Sequence, residues 1–274
     1  MKTSWVCAGM FLASLSYGHP SNARDSGKRE ATIVGASEIE IVEHTAIQPA
    51  RSGNDDEDAF RHMHVFGEMK NHSARTVRIL SADVTFFDAG GKAVQVDSIG
   101  AAVKRDLHDN SPGDTVYSEV HQIPPGGTAP FHYIRNLKAI RGDAASHRLT
   151  PRPARTVADP AVGVAVGVRD TVAEMTNPAL PNSTVHGRMR AFEGALRNVG
   201  KTGCRDPKYV VALLAPDGKI REVHAFDARV NDNQSLVVAP REEVRFKGAV
   251  WVEAENAWRE SAGVKSWVDC DEPW

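Results

Sequence analysis

Charge of one sign, long apolar runs and cysteine are all scarce in this sequence. Its 274 residues include 33 Lys and Arg against 35 Asp and Glu, a formal net charge of −2. That balance offers no electrostatic argument for binding nucleic acid or an anionic membrane. The one prominent apolar run, Trp5 to Leu15, is roughly half the ~20 residues that a membrane-spanning helix needs. We therefore predict no nucleic-acid partner, and no transmembrane segment after N-terminal processing.

The sequence also lacks the short motifs that mark common active sites. It contains no G-x-S-x-G, no H-E-x-x-H, no P-loop and no G-x-G-x-x-G after a strand. Single Ser, His and Asp residues are plentiful, but their spacing assembles no catalytic triad. We predict a protein that is not an enzyme, and the sequence implies no cofactor.

The first 23 residues have the pattern of a secretory signal peptide. Lys2 precedes the apolar run, and small residues follow it, offering cleavage after Gly18 or Ala23. A buried N-terminal helix is the alternative, but the run shows no amphipathic repeat. The pattern predicts an exported protein, whether periplasmic, cell-surface or secreted, with a flexible leader at residues 24–36.

The predicted export determines what state the cysteines are expected to have. Signal cleavage removes Cys7 and leaves Cys204 and Cys270, an even number in an oxidising compartment, which predicts one disulfide. Two unrelated buried thiols are the alternative. A zinc site is disfavoured because neither cysteine has a neighbour at C-x₂-C spacing.

An internal repeat organises the rest of the chain. GEMKN at residues 67–71 and GALRN at 194–198 share G-x-x-x-N at an offset of 127 residues. At or near this offset, Ile39 and Ile41 fall on Val166 and Val168, Val65 on Phe192, Met69 on Leu196, and 84–91 on 211–218. The steps from Pro125 to Phe131 and from Pro240 to Phe246 are equally long. Their common order predicts two copies of one β-rich unit. By the same offset, Cys204 falls on Val77 and Cys270 on Asp143.

Alternation assigns the faces of the repeated strand. Residues two apart share a face, so Val65, Gly67 and Met69 are predicted to point inward together. The glycine would leave room for a large side chain from the facing sheet, or permit a bulge. Asn71 and Asn198 would end their strands, because Asn bonds to local backbone and starts turns.

These patterns predict an all-β fold of two tandem antiparallel immunoglobulin-like β-sandwich domains, at residues 37–150 and 162–274. Runs 77–87 and 209–214 are apolar on both faces, as central strands are. Hairpins then lead to strands at 92–103 and 219–230. Residues 151–161, rich in proline and without apolar period, are predicted to be a linker.

The order G-x-x-x-N, V-x-F-[FY]-D-x-x-G and P-G-x-x-x-x-F resembles bacterial FxLYD-type immunoglobulin-like domains. The resemblance covers most of residues 37–140 and, more loosely, 162–274. Ala215 and Pro216 depart from its aromatic-Asp step, and Arg241 replaces the glycine after Pro240. The resemblance implies tandem domains in an exported or envelope protein, most such domains having no assigned biochemical activity.

Two groups of side chains are candidate binding sites. His62 and His64 share a strand face beside Phe66 and Glu68, and two such histidines can ligate copper or zinc. The alternative is a solvated strand face. Near the C-terminus, Trp251 and Trp267 are predicted to pack in the second core. Trp258 and Trp274 are predicted to be exposed for contact with a protein or a sugar.

Three functional hypotheses follow. The first is an exported, non-enzymatic binding or scaffold protein that presents loops and edge strands to a protein or cell-envelope component. The second is a periplasmic copper- or zinc-handling protein that uses His62 and His64. The third, least supported, is a hydrolase with a site at the domain junction.

Overall fold

The computed structural model describes residues 32–49, 55–58, 60–96, 114–140, 142–176, 186–228, 235–252 and 254–271. The predicted signal peptide, most of the predicted leader and Trp274 lie outside these residues. Ala31–Trp274 form one compact unit. Within it we call residues 32–156 the first half and residues 163–271 the second half.

The first half consists of antiparallel strands and short helical turns. Its strands are β1 (Ile33–Val34), β2 (Ile39–Ile47), β3 (His62–Asn71), β4 (Val77–Arg78), β5 (Ser81–Phe87), β6 (Ala93–Val94), β7 (Asp114–Tyr117), β8 (Gln122–Ile123), β9 (Thr128–Asn136), β10 (Ser146–Pro151) and β11 (Ala154–Thr156). The helical turns are Ala36–Glu38, Asp55–Asp58 and Leu137–Ala139. One sheet has the order β2-β3-β9. Facing it, β10-β5-β6 with β7 against β5 is continued along the chain by β1-β11-β4-β8.

The second half repeats this plan with longer strands. They are β12 (Gly163–Thr176), β13 (His186–Asn198), β14 (Cys204–Leu214), β15 (Ile220–Asp227), β16 (Val237–Val238), β17 (Glu243–Val252) and β18 (Gly263–Asp271), with a helical turn at Ala254–Glu260. One sheet has the order β12-β13-β17, and the other the order β15-β14-β16 with β18 also paired to β14. Here β14 corresponds to β4 and β5 together, and β18 to β10 and β11.

Each half buries apolar side chains between its two sheets. In the first half, Val65 and Met69 from one sheet pack with Val84 and Phe86 from the other, all fully buried. In the second half the corresponding cluster combines Phe192, Leu196 and Phe246 with Tyr209, Val211 and Leu213. The predicted all-β fold and the predicted inward faces of β3 and β13 are confirmed.

A glycine and a phenylalanine lie opposite each other in both halves. Gly67 pairs with Phe131 of β9, and Gly194 pairs with Phe246 of β17. A Cβ on Gly67 would overlap the carbonyl oxygen of Val42 and lie 2.7 Å from the Phe131 ring. The side chain that needs the space therefore comes from the neighbouring strand of the same sheet, and not from the facing sheet. The bulge allowed by the sequence lies opposite, in β2, between Glu43 and Thr45.

The two repeated asparagines are buried and bridge a corner. The Asn71 side-chain amide donates to the carbonyls of Arg75 (2.7 Å) and Ile123 (3.0 Å). Asn198 donates equivalently to the carbonyls of Thr202 (2.7 Å) and Val238 (2.9 Å). Each joins the turn after its own strand to the short strand before the Pro corner, β8 in the first half and β16 in the second. They end their strands as predicted, and in addition satisfy buried carbonyls that would otherwise lose their hydrogen bonds.

The Pro-rich segment is a correction to the predicted domain plan. Pro151 ends β10, which pairs with β5, and residues 154–156 form β11, which pairs with β1 and β4. Ala154 is buried. Proline is tolerated at the end of a strand. The segment was predicted to be a linker because its sequence shows no apolar alternation, although parts of it form strands. Only residues 157–162 connect the halves, and residues 33–34 of the predicted leader form β1.

The predicted central and hairpin strands also differ in extent. Residues 77–87 are two strands, because Ile79 has a left-handed φ of 38°. Asp206, at the equivalent position, has a φ of 43° and bends β14 in the same place. In the hairpins β6 is only Ala93–Val94, with 97–113 outside the described residues, whereas β15 spans Ile220–Asp227.

The predicted disulfide between Cys204 and Cys270 is present, with the Cα atoms 5.0 Å apart. Arg205 pairs with Asp271 just as Arg78 pairs with Arg155, so Cys270 corresponds to Ala154 and not to Asp143. The disulfide therefore occupies the place where the first half packs Val77 on Ala154.

The glycines of the repeat differ in how tightly they are enclosed. We expect Gly67→Ala to lower the free energy of unfolding by about 1–3 kcal/mol, because the new methyl overlaps backbone that cannot move aside. At Gly194 the nearest atoms lie 3.0 Å (Phe246) and 3.2 Å (Val166) from such a methyl. Gly194→Ala should therefore cost less than about 1 kcal/mol, because a small shift suffices. Denaturant unfolding of both variants measures this. If both variants lost the same free energy of unfolding, Gly67 would not be the more tightly enclosed of the two glycines.

Replacing the disulfide by the Val–Ala contact that occupies the same place in the first half tests this correspondence. We expect Cys204→Val/Cys270→Ala to fold, with a free energy of unfolding lower by at most about 4 kcal/mol. This is the chain entropy of a bridge between residues 66 apart. Cys204→Ser/Cys270→Ser is the matched control, and should be less stable because its hydroxyls are buried at sites only 2% exposed. If the two double variants unfolded at the same denaturant concentration, the equivalence with Val77 and Ala154 would be wrong.

Candidate functional site at the junction of the two halves

The outer face of β3 meets the second half of the unit. Phe66 is 4% exposed and packs with Ala212 and Ile220, which are fully buried. Half-buried Leu214, Val223 and Trp267 surround this cluster. His62, His64, Phe66 and Glu68 share one strand face as predicted, but the interpretation of that face as solvated is wrong.

A histidine pair borders this apolar contact. His64 Nδ1 and His132 Nε2 lie 2.9 Å apart, so one ring donates a hydrogen bond to the other. Their ring planes differ by 13°. The His132 ring also stacks on Phe66, with centroids 4.3 Å apart. Because β9 pairs with β3, the residue after the inward Phe131 points outward into the junction.

Both histidines are held neutral. Burial is the main cause that lowers the pKa of His132, to about 4; the nearby His64 and His224 lower it further, against an opposing effect of Glu222. Burial, and then His62, lowers the pKa of His64. If both rings became imidazolium ions, two like charges would lie next to each other in a partly desolvated site.

The second half contributes an ion pair beside these histidines. Arg259 donates to Glu222 through Nε (2.8 Å) and Nη2 (2.6 Å), and His224 Nε2 lies 3.1 Å from the same carboxylate. Burial acts to raise the pKa of Glu222, but the hydrogen bonds from His224 and Arg259 outweigh it and hold the pKa below its usual value. Glu222 is therefore ionised at neutral pH.

A polar contact joins the two halves through Asp269, which is fully buried. Its carboxylate accepts from the His121 backbone N–H (2.6 Å) and pairs with His121 Nδ1 (2.6 Å). Burial acts to lower the pKa of His121, yet the hydrogen bond and charge of Asp269 outweigh it and raise that pKa. Gln122 adds a hydrogen bond to the Cys270 carbonyl (3.0 Å).

A second polar contact between the halves uses the bulge of β2. His44 Nδ1 accepts from the backbone N–H of Ile220 at 3.0 Å. Its other nitrogen faces Glu68, which also pairs with Lys265 of the second half. The contacts of Asp269 and of His44 and Glu68 thus link the first half to the second by hydrogen bonds and ion pairs.

The histidines singled out for metal binding do not form a pair of their own. The rings of His62 and His64 lie 6.3 Å apart, and His64 Nδ1 is bonded to His132. Over the residues that the structure describes, no three His, Cys, Asp or Glu side chains gather closely enough to hold a metal ion. Metal handling stays an untested prediction.

The tryptophans are placed differently from the sequence prediction. Trp258 is half-buried against the second core, with the Arg221 guanidinium 4.7 Å above its ring. It is not the exposed platform expected. Trp267 packs at the junction instead of in the second core. Trp274 lies outside the described residues.

The junction holds no arrangement typical of a hydrolase among the described side chains. His121 has a carboxylate on each side, because Nε2 lies 3.6 Å from Asp271. That geometry suits an ion pair better than a base that activates a nucleophile. A cleft of about 460 Å³ beside residues 157–161 is lined by Gln122, Asp159, Thr202 and Arg205, among others, without histidine or cysteine. The hydrolase hypothesis gains no support here.

Sequence reasoning missed His121, His132 and Asp269. A signal for His132 was present, because the equal Pro-to-Phe steps align Phe131 with the inward face and so place its neighbour outward beside His64. Periodicity offers no comparable signal for Asp269, because its partner lies in the other half.

Comparisons with known proteins provide no family for this chain. No family model matches it, and no curated protein matches it. Among solved structures, red sea bream transglutaminase is similar over 86% of this chain and 32% of its own, at 11% identity and a TM-score of 0.23. The chain thus spans about a third of that structure, and a similarity this low supports no argument. None of the helices in the described ranges is long and apolar enough to cross a membrane.

The neutral histidines make the junction sensitive to acid. The unfolded chain binds a proton near the ordinary pKa of 6.5, whereas folded His132 resists it until about pH 4. Stability from this group is complete above pH 6.5 and is lost as the pH falls from 6.5 to 4. We expect His132→Phe, which keeps the ring on Phe66, to reduce this acid loss by about 1–2 kcal/mol, after discounting for partial exposure.

The measurement is the free energy of unfolding between pH 4 and 7. His72→Phe is the control, because His72 is an exposed residue paired with Glu40 at the surface. His121 contributes a pH dependence of the opposite sign. Because its pKa is raised in the folded protein, it adds stability below pH 6.5, and this stability is lost as the pH rises through the folded pKa. Equal acid slopes for wild type and His132→Phe would contradict the role of His132.

Proposed function

We propose that this chain is an exported, non-enzymatic binding or scaffold protein. In this proposal its two halves are immunoglobulin-like sandwiches that present loops and edge strands to a protein or cell-envelope component. The observation that supports it best is the junction, because a buried interface makes two small sandwiches into one rigid support. The fold and the disulfide are compatible with the FxLYD resemblance, which itself stays a prediction.

The junction has the composition of a permanent contact. Phe66, Ala212 and Ile220 are almost completely buried, and Val210 of β14 belongs to the first core cluster. Domains of one chain that move freely usually meet through smaller and more polar surfaces. Exposed strands and loops on the two halves therefore keep a constant distance, which a partner touching both halves would require.

Export is supported by the disulfide. Cys204 and Cys270 are each 2% exposed and bonded to each other, a pairing typical of oxidising compartments. The N-terminal pattern points to the same route, although residues 1–23 lie outside the described part of the chain. We propose that the mature protein acts in the periplasm, at the cell surface or outside the cell.

Crosslinking the protein to its partners inside its source cells tests the proposed function. The full chain with a C-terminal tag is expressed in its source cells, crosslinked in situ and purified, and the fractions are compared for enrichment of envelope and external proteins. Phe66→Ser removes the central junction side chain and should cost about 3 kcal/mol or more of contact between the halves. We expect it to lower partner recovery at least severalfold while each half stays folded.

Phe60→Ser is the matched control, because Phe60 is 85% exposed and the same atoms are removed. A tagged protein that remains in the cytoplasm, or that enriches no protein above an untagged strain, would overturn the proposed function. Equal recovery by Phe66→Ser and Phe60→Ser would overturn the rigid-support part alone.

A further inference from the structure

The cleft beside the connection between the halves contains an arginine whose charge is not paired. The cleft has a volume of about 460 Å³, and Arg205 of β14 is one of the residues that line it. The Arg205 Nε is buried without a hydrogen-bond partner, and the guanidinium forms no ion pair with any described residue. Arg135, which also has a buried Nε without a partner, pairs its Nη2 with Asp114 at 2.8 Å. Buried polar groups are normally paired, so the exception at Arg205 calls for a physical reason.

The carboxylates that adjoin Arg205 in the fold face other groups. Asp271 lies opposite Arg205 in the pairing of β14 with β18, but its carboxylate is 3.6 Å from His121 Nε2. Asp206, the next residue along the chain, accepts a hydrogen bond from the backbone N–H of Leu236 at 2.9 Å. The positive charge of Arg205 is therefore available to a ligand in the cleft.

Most of the remaining lining of the cleft is small and apolar. These side chains and backbone belong to Val157, Ala158, Ala161, Gly203 and Val237. Val237, in the edge strand β16, is 54% exposed. An aliphatic group bound in the cleft would remove part of this apolar surface from water, which is favourable.

Hydrogen bonds fix the walls of the cleft. Gln122 Nε2 donates to the Cys270 carbonyl (3.0 Å), and its Oε1 accepts from the Ala161 backbone N–H (2.9 Å). Thr202 Oγ1 donates to the Asp159 carbonyl at 3.3 Å. These bonds attach the connection to both halves, so the cleft has its shape before a ligand arrives. A preformed site loses less conformational entropy on binding.

We propose that this cleft binds a small monocarboxylate that carries an aliphatic group. The carboxylate pairs with the Arg205 guanidinium, whose planar N–H groups match two carboxylate oxygens. The aliphatic group covers Ala161 and Val237. The volume of the cleft lies within the range of about 300–1,000 Å³ that is usual for ligand pockets. This binding activity goes beyond the proposed scaffold function and does not depend on it.

Asp159 restricts the ligand to a single negative charge. It is exposed and lines the same cleft as Arg205. A second carboxylate on the ligand would be placed near Asp159 or against the apolar wall. Like charges repel, and an unpaired charge on an apolar surface loses hydration. The cleft should therefore discriminate against dicarboxylates.

Calorimetric titration of the full mature chain tests this proposal with octanoate, octanamide and the dicarboxylate suberate. We expect octanoate to bind with a dissociation constant below about 1 mM. Octanamide lacks the charge and suberate carries two, so each should bind at least about tenfold more weakly. Arg205→Met should weaken octanoate binding at least about tenfold as well. It should leave the melting temperature unchanged or higher, because the Nε that it removes has no hydrogen-bond partner.

Arg245→Met is the matched control, since Arg245 is exposed in β17, in the other sheet of the second half. A second position tests the sign of the charge without altering Arg205. Val237→Glu and Val237→Lys both lose an apolar contact at an exposed site, so both should fold. Only the glutamate repels the ligand, and it should bind octanoate at least about fivefold more weakly than the lysine variant.

A peptide that ends in valine presents the same chemistry as octanoate, a carboxylate beside an aliphatic group. Acetyl-Gly-Gly-Val with a free carboxylate is therefore titrated beside its C-terminal amide. Tighter binding of the acid peptide than of octanoate would assign the cleft to the C-terminus of a protein, and the reverse would assign it to a free acid. Failure of both to bind at about 10 mM would overturn the proposal. So would equal octanoate binding by Arg205→Met and Arg245→Met, or equal binding of octanoate and octanamide.

Discussion

A phenylalanine lying across a glycine in the neighbouring strand is the constraint on which the rest of the structure depends. Phe131 fills the space above Gly67, and Phe246 fills the space above Gly194. Side chains alternate along a strand, so this one contact determines which residues of β3 and β9 face the core. It also determines that His132 and Phe66 face the other way. The junction is thus a consequence of how the first core is packed.

The junction combines an apolar centre with buried charge, and the two have different roles. Burial of Phe66, Ala212 and Ile220 supplies the stabilising free energy. The ion pair of Asp269 with His121 offsets the desolvation of a carboxylate that is fully buried. Such pairs contribute little net stability, but losing one partner leaves an unpaired buried charge. The polar contacts therefore select one arrangement of the halves more than they strengthen it.

The two copies share a scaffold and differ at its margins. The first packs Val77 on Ala154 where the second has Cys204 bonded to Cys270. Both keep the left-handed residue after the first turn, at Ile79 and Asp206, and the buried asparagine before it. The differences lie where a changed element leaves the core intact, in β12 above all.

Local pattern was enough to determine the strand type, the inward faces, the repeat and the single disulfide, since alternation, turn residues and cysteine number are properties of the chain itself. It placed His64 on the correct strand face. What covers that face was decided only by tertiary structure, because Ala212 and Ile220 come from distant sequence. Likewise Ala154 belongs to a strand only because β4 and β1 lie beside it. Periodicity determines the direction in which a side chain points; the residue that it meets depends on packing between segments far apart in the chain.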